Sequence, residues 1–285
     1  MTQPGKRHLP ATSSFVVLMG TGMGQLGWLL LGFGGIFFWG FAMNADLSAL
    51  HFRGEIVTVE GVATNLYGTG ASVNDNEVFE NHFRFTTPEG TEFESFSYTT
   101  GGGMEAGETV RIEYPAGKPG YSRIVGMRRQ LFGPAVLLVT LLPAVGLIFL
   151  LVSIRRSLRA IGLLQGGELT TAKLVSKDPT NVKVNDRMVY KLTFAYVDQA
   201  GKRFEVIEKT HQTAELEDEE AERVLYQRDN PSNAVLLDAL PASLHIDAQG
   251  KIEALPLYKT IGVAILPLLT IVGHGSYIWL KWLNN

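Results

Sequence analysis

Histidine has the widest chemical reach of any side chain near neutral pH, and this 285-residue chain carries six: His8, His51, His82, His211, His245 and His274. No two have the spacing that would put a metal pair on one helix face or one hairpin, so no metal centre is expected. Cysteine is absent, which removes disulfides, thiol nucleophiles, Cys-ligated zinc and iron–sulfur clusters. Ser95, Ser97 and Ser122 have no histidine and acid in a recognisable triad order. Gly101-Gly102-Gly103 with Gly107 lacks the Lys-Ser or Lys-Thr of a phosphate loop and is flanked by Glu105 and Glu108, so it reads as a flexible hairpin connection. The run Glu215, Glu217, Asp218, Glu219, Glu220, Glu222 lacks the alternating ligands and glycine of a calcium loop and reads as a solvated helical turn. These residues predict neither catalytic nor cofactor-binding function.

The rest of the chain explains why so little of it is arranged for chemistry. Three uncharged apolar runs, 10–45, 130–154 and 260–280, lie between charged borders. About 20 apolar residues at 1.5 Å each cross a hydrocarbon core of roughly 30 Å, so each run is long enough to span a bilayer. The first is flanked by Lys6 and Arg7 but is about twice the length of a secretory h-region, and is read as an uncleaved anchor. The expected organisation is a tail over 1–14, membrane helices over 15–43, 131–154 and 260–280, and soluble domains over 51–126 and 160–247. Lys and Arg total 25 against 28 Asp and Glu, a balance with no chain-wide basic field for nucleic acid.

Within the first apolar run, Gly20, Gly24, Gly27 and Gly34 fall on one helical stripe, where small residues let a second helix approach closely. This predicts a packing face for the other helices or for a second copy of the chain. In the third run His274 places an imidazole in hydrocarbon beside Tyr277, Trp279 and Trp282. Such a group faces protein or water, so His274 is a candidate intramembrane polar site or a neutral histidine hydrogen-bonded to a neighbouring helix.

The two soluble segments resemble each other. At a constant offset Val73-Asn74-Asp75 reappears as Val184-Asn185-Asp186, Phe79 as Tyr190, Phe83 as Phe194, Phe85 as Tyr196, Gly90 as Gly201 and Phe93-Glu94 as Phe204-Glu205. One residue later Arg111, Tyr114 and Pro119 correspond to Arg223, Tyr226 and Pro231, and upstream Gly54-Glu55 matches Gly167-Glu168. The period in each copy is two, as in half-buried strands. Thr87-Pro88-Glu89-Gly90 and Asp198-Gln199-Ala200-Gly201 have the residues of tight hairpin turns. The fold class is therefore membrane α plus β: three transmembrane helices with two duplicated small antiparallel β-domains, each a barrel or sandwich of about five short strands.

The stretch Tyr190 to Tyr196, with Val224-Leu225-Tyr226 and Asp229-Asn230-Pro231-Ser232-Asn233-Ala234, resembles the bacterial membrane family known as domain of unknown function 3592. The first copy carries a similar signature from Gly107 to Pro115 and through Pro119 and Ser122 to Gly126, but has Gly117-Lys118 where the second has Asp229-Asn230. The resemblance implies β-domains held between membrane helices and brings no catalytic or ligand residues with it.

The function expected is a non-enzymatic, membrane-anchored interaction or assembly module in the inner (plasma) membrane. Its partners would be the lipid bilayer and another membrane protein or a second copy of itself, without nucleic acid. The alternative is an accessory subunit of a transport system. Because 130–154 is too short for two crossings, the two β-domains are expected on opposite sides. Lys6, Arg7, Arg155, Arg156 and Arg159 favour a cytoplasmic N-terminus and second domain, whereas Arg128 and Arg129 oppose it.

Overall fold

The computed structural model describes residues 6–241, 244, 246–247 and 250–283, with the backbone alone at Glu215; His245 lies outside them. The described residues form helices α1 (Ala11–Met19) and α2 (Gly22–Gly40), strands β1 (Ile56–Val73), β2 (Asn76–Thr86), β3 (Glu92–Thr100), β4 (Thr109–Pro115) and β5 (Arg123–Ile124), then helix α3 (Leu141–Gly166). Strands β6 (Glu168–Val184), β7 (Arg187–Val197), β8 (Arg203–Thr210), β9 (Glu222–Gln227) and β10 (Asn230–Leu236) follow, and helix α4 (Leu257–Ile278), continued by a π-helical turn over Trp279–Leu283, closes the order. Three helical segments, Gly22–Asn44, Pro134–Gly166 and Leu257–Leu283, are long and apolar enough to cross a membrane. The chain divides into two compact units, Met1–Gly32 with Ala144–Asn285, and Phe33–Pro143.

The unit Phe33–Pro143 holds an antiparallel sheet in the order β3-β2-β1-β4-β5. Asn74 and Asp75 take φ of 50° and 63° and close Val73 onto Asn76 in a two-residue turn. Asn and Asp tolerate this left-handed region, and the primed turn they make matches strand twist. Strand β1 is long because it changes partner along its length, pairing β4 from Ile56 to Val62 and β2 from Gly61 onward. Gly61 belongs to both pairings, and a Cβ there would stand 2.5 Å from the Arg84 carbonyl oxygen. Phe83, Phe85, Val110, Ile112, Tyr114, Ile124 and Met127 form the core. Tyr98 and Arg128 exchange backbone bonds of 2.7 and 3.0 Å, and the Ile124 N–H donates to Ser97 Oγ at 2.9 Å. These bonds join β3 to the segment around β5, so the sheet is nearly a closed barrel.

The second sheet, in the other unit, has the same connectivity in the order β10-β9-β6-β7-β8. Its Asn185 and Asp186 turn has φ of 49° and 60°, and Ala172 pairs with both Tyr196 and Glu222, as Gly61 pairs with both Phe85 and Val110. Pairing also corrects one correspondence. Val57 faces Tyr114 and Glu168 faces Tyr226, so Glu168 is the counterpart of Val57 rather than of Glu55. The strands are also less uniformly short than the alternating pattern predicts, since β1 and β6 each serve two partners.

Helical boundaries depart from the sequence reading for a packing reason. Helix α3 does not stop at 154 but runs to Gly166, because Ala160, Leu163 and Leu164 are buried against Leu225, Leu237 and Leu244. The same layer takes in Leu9 and Val17 from the N-terminal segment and Ile252 from the segment before α4. Arg7 donates to the Gly167 carbonyl at 2.6 Å, and Ser13 Oγ donates to the Glu253 carbonyl at 3.0 Å. The N-terminal segment and the second sheet are thus one packed body, and 160–247 is not self-contained. Each buried aliphatic side chain contributes about 1.5–3 kcal/mol, and a whole domain retains only about 5–15 kcal/mol. A fragment 46–130, which keeps Asp46, Met127 and Arg128, is expected to fold with strand-type circular dichroism. Fragment 160–247, stripped of Leu9, Val17 and Ile252, is expected to unfold at a clearly lower denaturant concentration than the same sheet in the intact chain. Equal midpoints would show that this shared layer adds nothing.

Candidate functional site

Up to Gly32, helix α2 presents two different faces within the unit it shares with α3 and α4. Gly24 and Gly27 face α3: a Cβ on Gly24 would lie 2.7 Å from Ser153 Oγ, and one on Gly27 would lie 3.0 Å from both Gly146 O and Leu150 N. The approach is reciprocal, since a Cβ on Gly146 would stand 2.6 Å from Leu31 N and 2.8 Å from Gly27 O. In the unit Phe33–Pro143, Gly34 makes the same close approach to Pro143, whose nitrogen would be 2.7 Å away. About 100° around α2, positions 25, 28 and 32 form a polar ladder to α4. Gln25 Nε2 donates to Val263 O at 2.9 Å, Thr270 Oγ1 donates to Trp28 O at 3.3 Å, and His274 Nε2 lies 3.1 Å from Gly32 O. His274 thus contacts the backbone of a neighbouring helix. Gly32, where a Cβ would meet Thr270 Oγ1 at 2.6 Å, belongs to this second face.

Gly20 departs from the stripe. The first apolar run is not one helix: Gly20 caps α1, with its N–H on Val16 O at 2.7 Å, and the chain restarts at Thr21. Thr21 Oγ1 accepts the Gly24 N–H at 3.0 Å, an N-cap bond that satisfies one of the open donors of α2, and it also pairs with Ser153 Oγ. Two glycines around a capping threonine favour a break over a continuous turn. This break forms one end of a cavity of about 780 Å³. Helix α3 lines it with Ser153, Arg156 and Ser157, strand β8 with Glu208 and Lys209, and the segment after β10 with Asp238.

Behind the Asp238 wall lies a buried carboxyl group. Glu222 opens β9 beside Ala172 and is 2% exposed; among the described residues its carboxyl is approached by the Glu219 N–H and the Asp238 carboxyl but makes no well-formed hydrogen bond. Burial, followed by the charges of Asp238, Asp218 and Glu219, pushes Glu222 up to about 7. Asp238 is also raised: burial outweighs the attraction of Arg223, whose guanidinium is 3.8 Å away. The acidic run is therefore not uniformly solvated. Its outer members include Glu217, held below the usual carboxylate range first by the 2.7 Å bond from Lys177, while Glu222 turns inward.

The outer face of the first sheet carries a third cluster. Tyr98 donates to Glu80 Oε2 at 2.9 Å, and His82 Nε2 meets Glu80 Oε1 at 2.6 Å. Burial first, then Glu80, pushes the Tyr98 hydroxyl up to about 12. The His82 ring contacts Tyr67 and Phe96, and Phe96 packs edge-on to Tyr98. The triple-glycine loop joins β3 to β4, which are not neighbours, so it is a crossover rather than a hairpin. Met104 N–H donates to buried Asn81 Oδ1 at 2.7 Å and ties this loop to the sheet. Among the described residues no group of three or more His, Asp or Glu is placed to hold a metal ion.

Comparison with family models, with curated proteins and with solved structures gave no match to this chain. Of the residues singled out from sequence, the structure brings Gly24 and Gly27 against α3 and His274 against Gly32, and separates Gly20 from them. The cavity, Glu222 and the Glu80 cluster were missed. Alternation along β2 and β3 could have placed Glu80, His82, Phe96 and Tyr98 on one face, but their register across strands was needed to make them neighbours.

Proposed function

We propose that this chain is a membrane-anchored interaction or assembly module whose β-domains recognise a protein partner, and that its two sheets are duplicated copies of one unit. The observation that carries the reading is the aromatic face of the first sheet. Tyr67 is 54% exposed and Phe96 is 40% exposed, side by side with His82 and Tyr98. Rigid exposed aromatic clusters with a polar handle are the residues that dominate protein interfaces. Shared strand order, the two Asn-Asp turns and the matched registers support duplication, in line with the likeness to domain of unknown function 3592. Purification of the full chain in mild detergent, followed by mass spectrometry of what accompanies it, is the test. The Tyr67→Ser and Phe96→Ser variants are expected to lose a partner that wild type retains; the same partners with both variants would remove this face from the reading. The transport reading rests on His274.

Membrane placement belongs to the same proposal. The three long segments leave most of their apolar side chains exposed, Leu29, Ile36, Ile148, Ile265 and Leu269 among them, as lipid-facing helices do. The packed body of N-terminal segment and second sheet supports one side for both, and a single span separates the second sheet from the first. Lys6, Arg7, Arg155, Arg156 and Arg159 then mark the cytoplasmic side. Arg128 and Arg129 have structural employment in the first domain: Arg128 donates to Thr100 Oγ1 at 2.8 Å, and Arg129 donates to Gly120 O at 3.1 Å. Reporter fusions are expected to read export at residue 100 and retention at residue 205. The same side at both positions would overturn the architecture, and an inverted pair would overturn only its direction.

A further inference from the structure

We propose that the cavity between helix α3 and strand β8 binds a phosphoethanolamine group, offered by a lipid headgroup or by a free small molecule. At about 780 Å³ it falls within the roughly 300–1,000 Å³ of ligand sites. The charges on its wall are of both signs and only partly matched: Arg223 stands 3.8 Å from Asp238, and Arg156 attracts Glu208 from beyond ion-pair distance. Among the described residues, Arg156 and Lys209 have no carboxylate within 4.0 Å, and Glu208 has no cation within that distance. A helical serine ordinarily returns its hydroxyl proton to the preceding turn. Ser157, by contrast, lines the cavity at 2% exposure, and its Oγ has no partner among the described residues. Such a group costs about 1–3 kcal/mol when nothing bonds to it, and a phosphate oxygen would accept from it.

A plain anion would suit Arg156 but would face Glu208 and Asp238; Lys209 follows Glu208 on β8, so its side chain leaves from the opposite face of the strand. A plain cation would suit the two carboxyls but would face Arg156. A zwitterion with phosphate and ammonium satisfies both, and burial already raises the Glu208 and Asp238 carboxyls above their ordinary range, a cost that a neighbouring ammonium reverses. Arg159 is not part of the recognition, because Asn233 and the Ala234 carbonyl already hold it. Val17, Met23 and Leu163 supply an apolar side for a chain attached to the phosphate. If α3 crosses the bilayer, its uncharged run ends at Ile154, which puts Arg156 and Ser157 at headgroup depth; the lipid source rests on that reading.

The test uses the full chain in mild detergent, with thermal midpoints and native mass spectrometry. Phosphatidylethanolamine, phosphatidylglycerol and free phosphoethanolamine are compared. Phosphatidylethanolamine is expected to raise the midpoint and to bind at least about tenfold tighter than phosphatidylglycerol. Arg156→Gln and Glu208→Gln should each abolish that preference while keeping the wild-type circular dichroism, and Ser157→Ala should weaken binding. Free phosphoethanolamine acting as strongly as the lipid would assign a soluble source, and lipid alone would assign the membrane. Equal response to both lipids, no response to any of the three, or a preference unchanged in Glu208→Gln would overturn the proposal. Carbonate extraction of membranes separates the readings: a chain released by carbonate would remove the spanning helices and the lipid source while leaving the free phosphoethanolamine arm to test the cavity.

Discussion

Leucine at position 27 is expected to be the most damaging single substitution in the helical part of the molecule. A Cβ there would already stand 3.0 Å from the Gly146 carbonyl oxygen and the Leu150 nitrogen, and both are helix backbone that cannot rotate away. The further carbons of leucine therefore have to push α2 and α3 apart, which also pulls Thr21 from Ser153 and opens the contact at Gly24. Overpacking of this kind costs about 1–3 kcal/mol at an ordinary core site, and the upper end applies where backbone meets backbone. For a chain of this size that is a fall of roughly 5 °C in the thermal midpoint. Gly146→Leu approaches the same contact from the other helix and should give a similar loss. Leu29→Phe is the control, since Leu29 is half exposed, and Gly22→Ala should be neutral, with nothing within 4 Å of the added carbon. Leu30 is a poor control because its Cβ lies against Gly146. Midpoints for Gly27→Leu within a degree or two of Leu29→Phe would refute close packing at this crossing.

Glu222→Gln is expected to stabilise the protein at alkaline pH and to do little in acid. The sign follows from linkage. An acid raised in the folded state binds more protons there than in the unfolded chain between about 4.5 and about 7, so stability falls as pH rises through that window. Below it both states are protonated and Glu222 contributes nothing; above it the folded state carries the whole penalty. A shift of this size corresponds to about 3 kcal/mol, and a partner such as the raised Asp238 adds in the same direction. Glutamine removes the ionisation and supplies N–H donors for the Asp238 carboxylate. Denaturant titrations at pH 5 and pH 8 should show wild type losing about 2–3 kcal/mol over that interval, with the variant losing clearly less. Parallel pH dependences would exclude an ionisable Glu222 as the cause. Asp46 acts oppositely. Burial alone would raise it, but bonds from the Ser48 and Arg129 N–H groups at 2.7 and 2.9 Å hold it below its ordinary value. Its contribution is lost as pH falls through the acid range, so the stability optimum lies between the two effects.

What the amino-acid order determined alone was whatever depends on near neighbours along the chain. Uncharged length placed the three long apolar helical segments, period-two alternation placed the strands, and Thr-Pro-Glu-Gly and Asp-Gln-Ala-Gly placed two hairpins. Asn74-Asp75 and Asn185-Asp186 were visible as repeated residues, and their turn geometry became evident only from positive φ. What tertiary structure decided was everything set by partners distant in sequence. A strand's register at one edge does not announce that Gly61 must serve two neighbours, or that Val57 rather than Glu55 matches Glu168. A glycine stripe does not say that Gly20 ends a helix while Gly24 and Gly27 meet Gly146 and Leu150, because capping and crossing both favour the smallest residue. Nor does an acidic run reveal which member turns inward: Glu222 is buried because β9 pairs with β6 at Ala172, and its elevated pKa follows from the carboxylates that folding gathers around it.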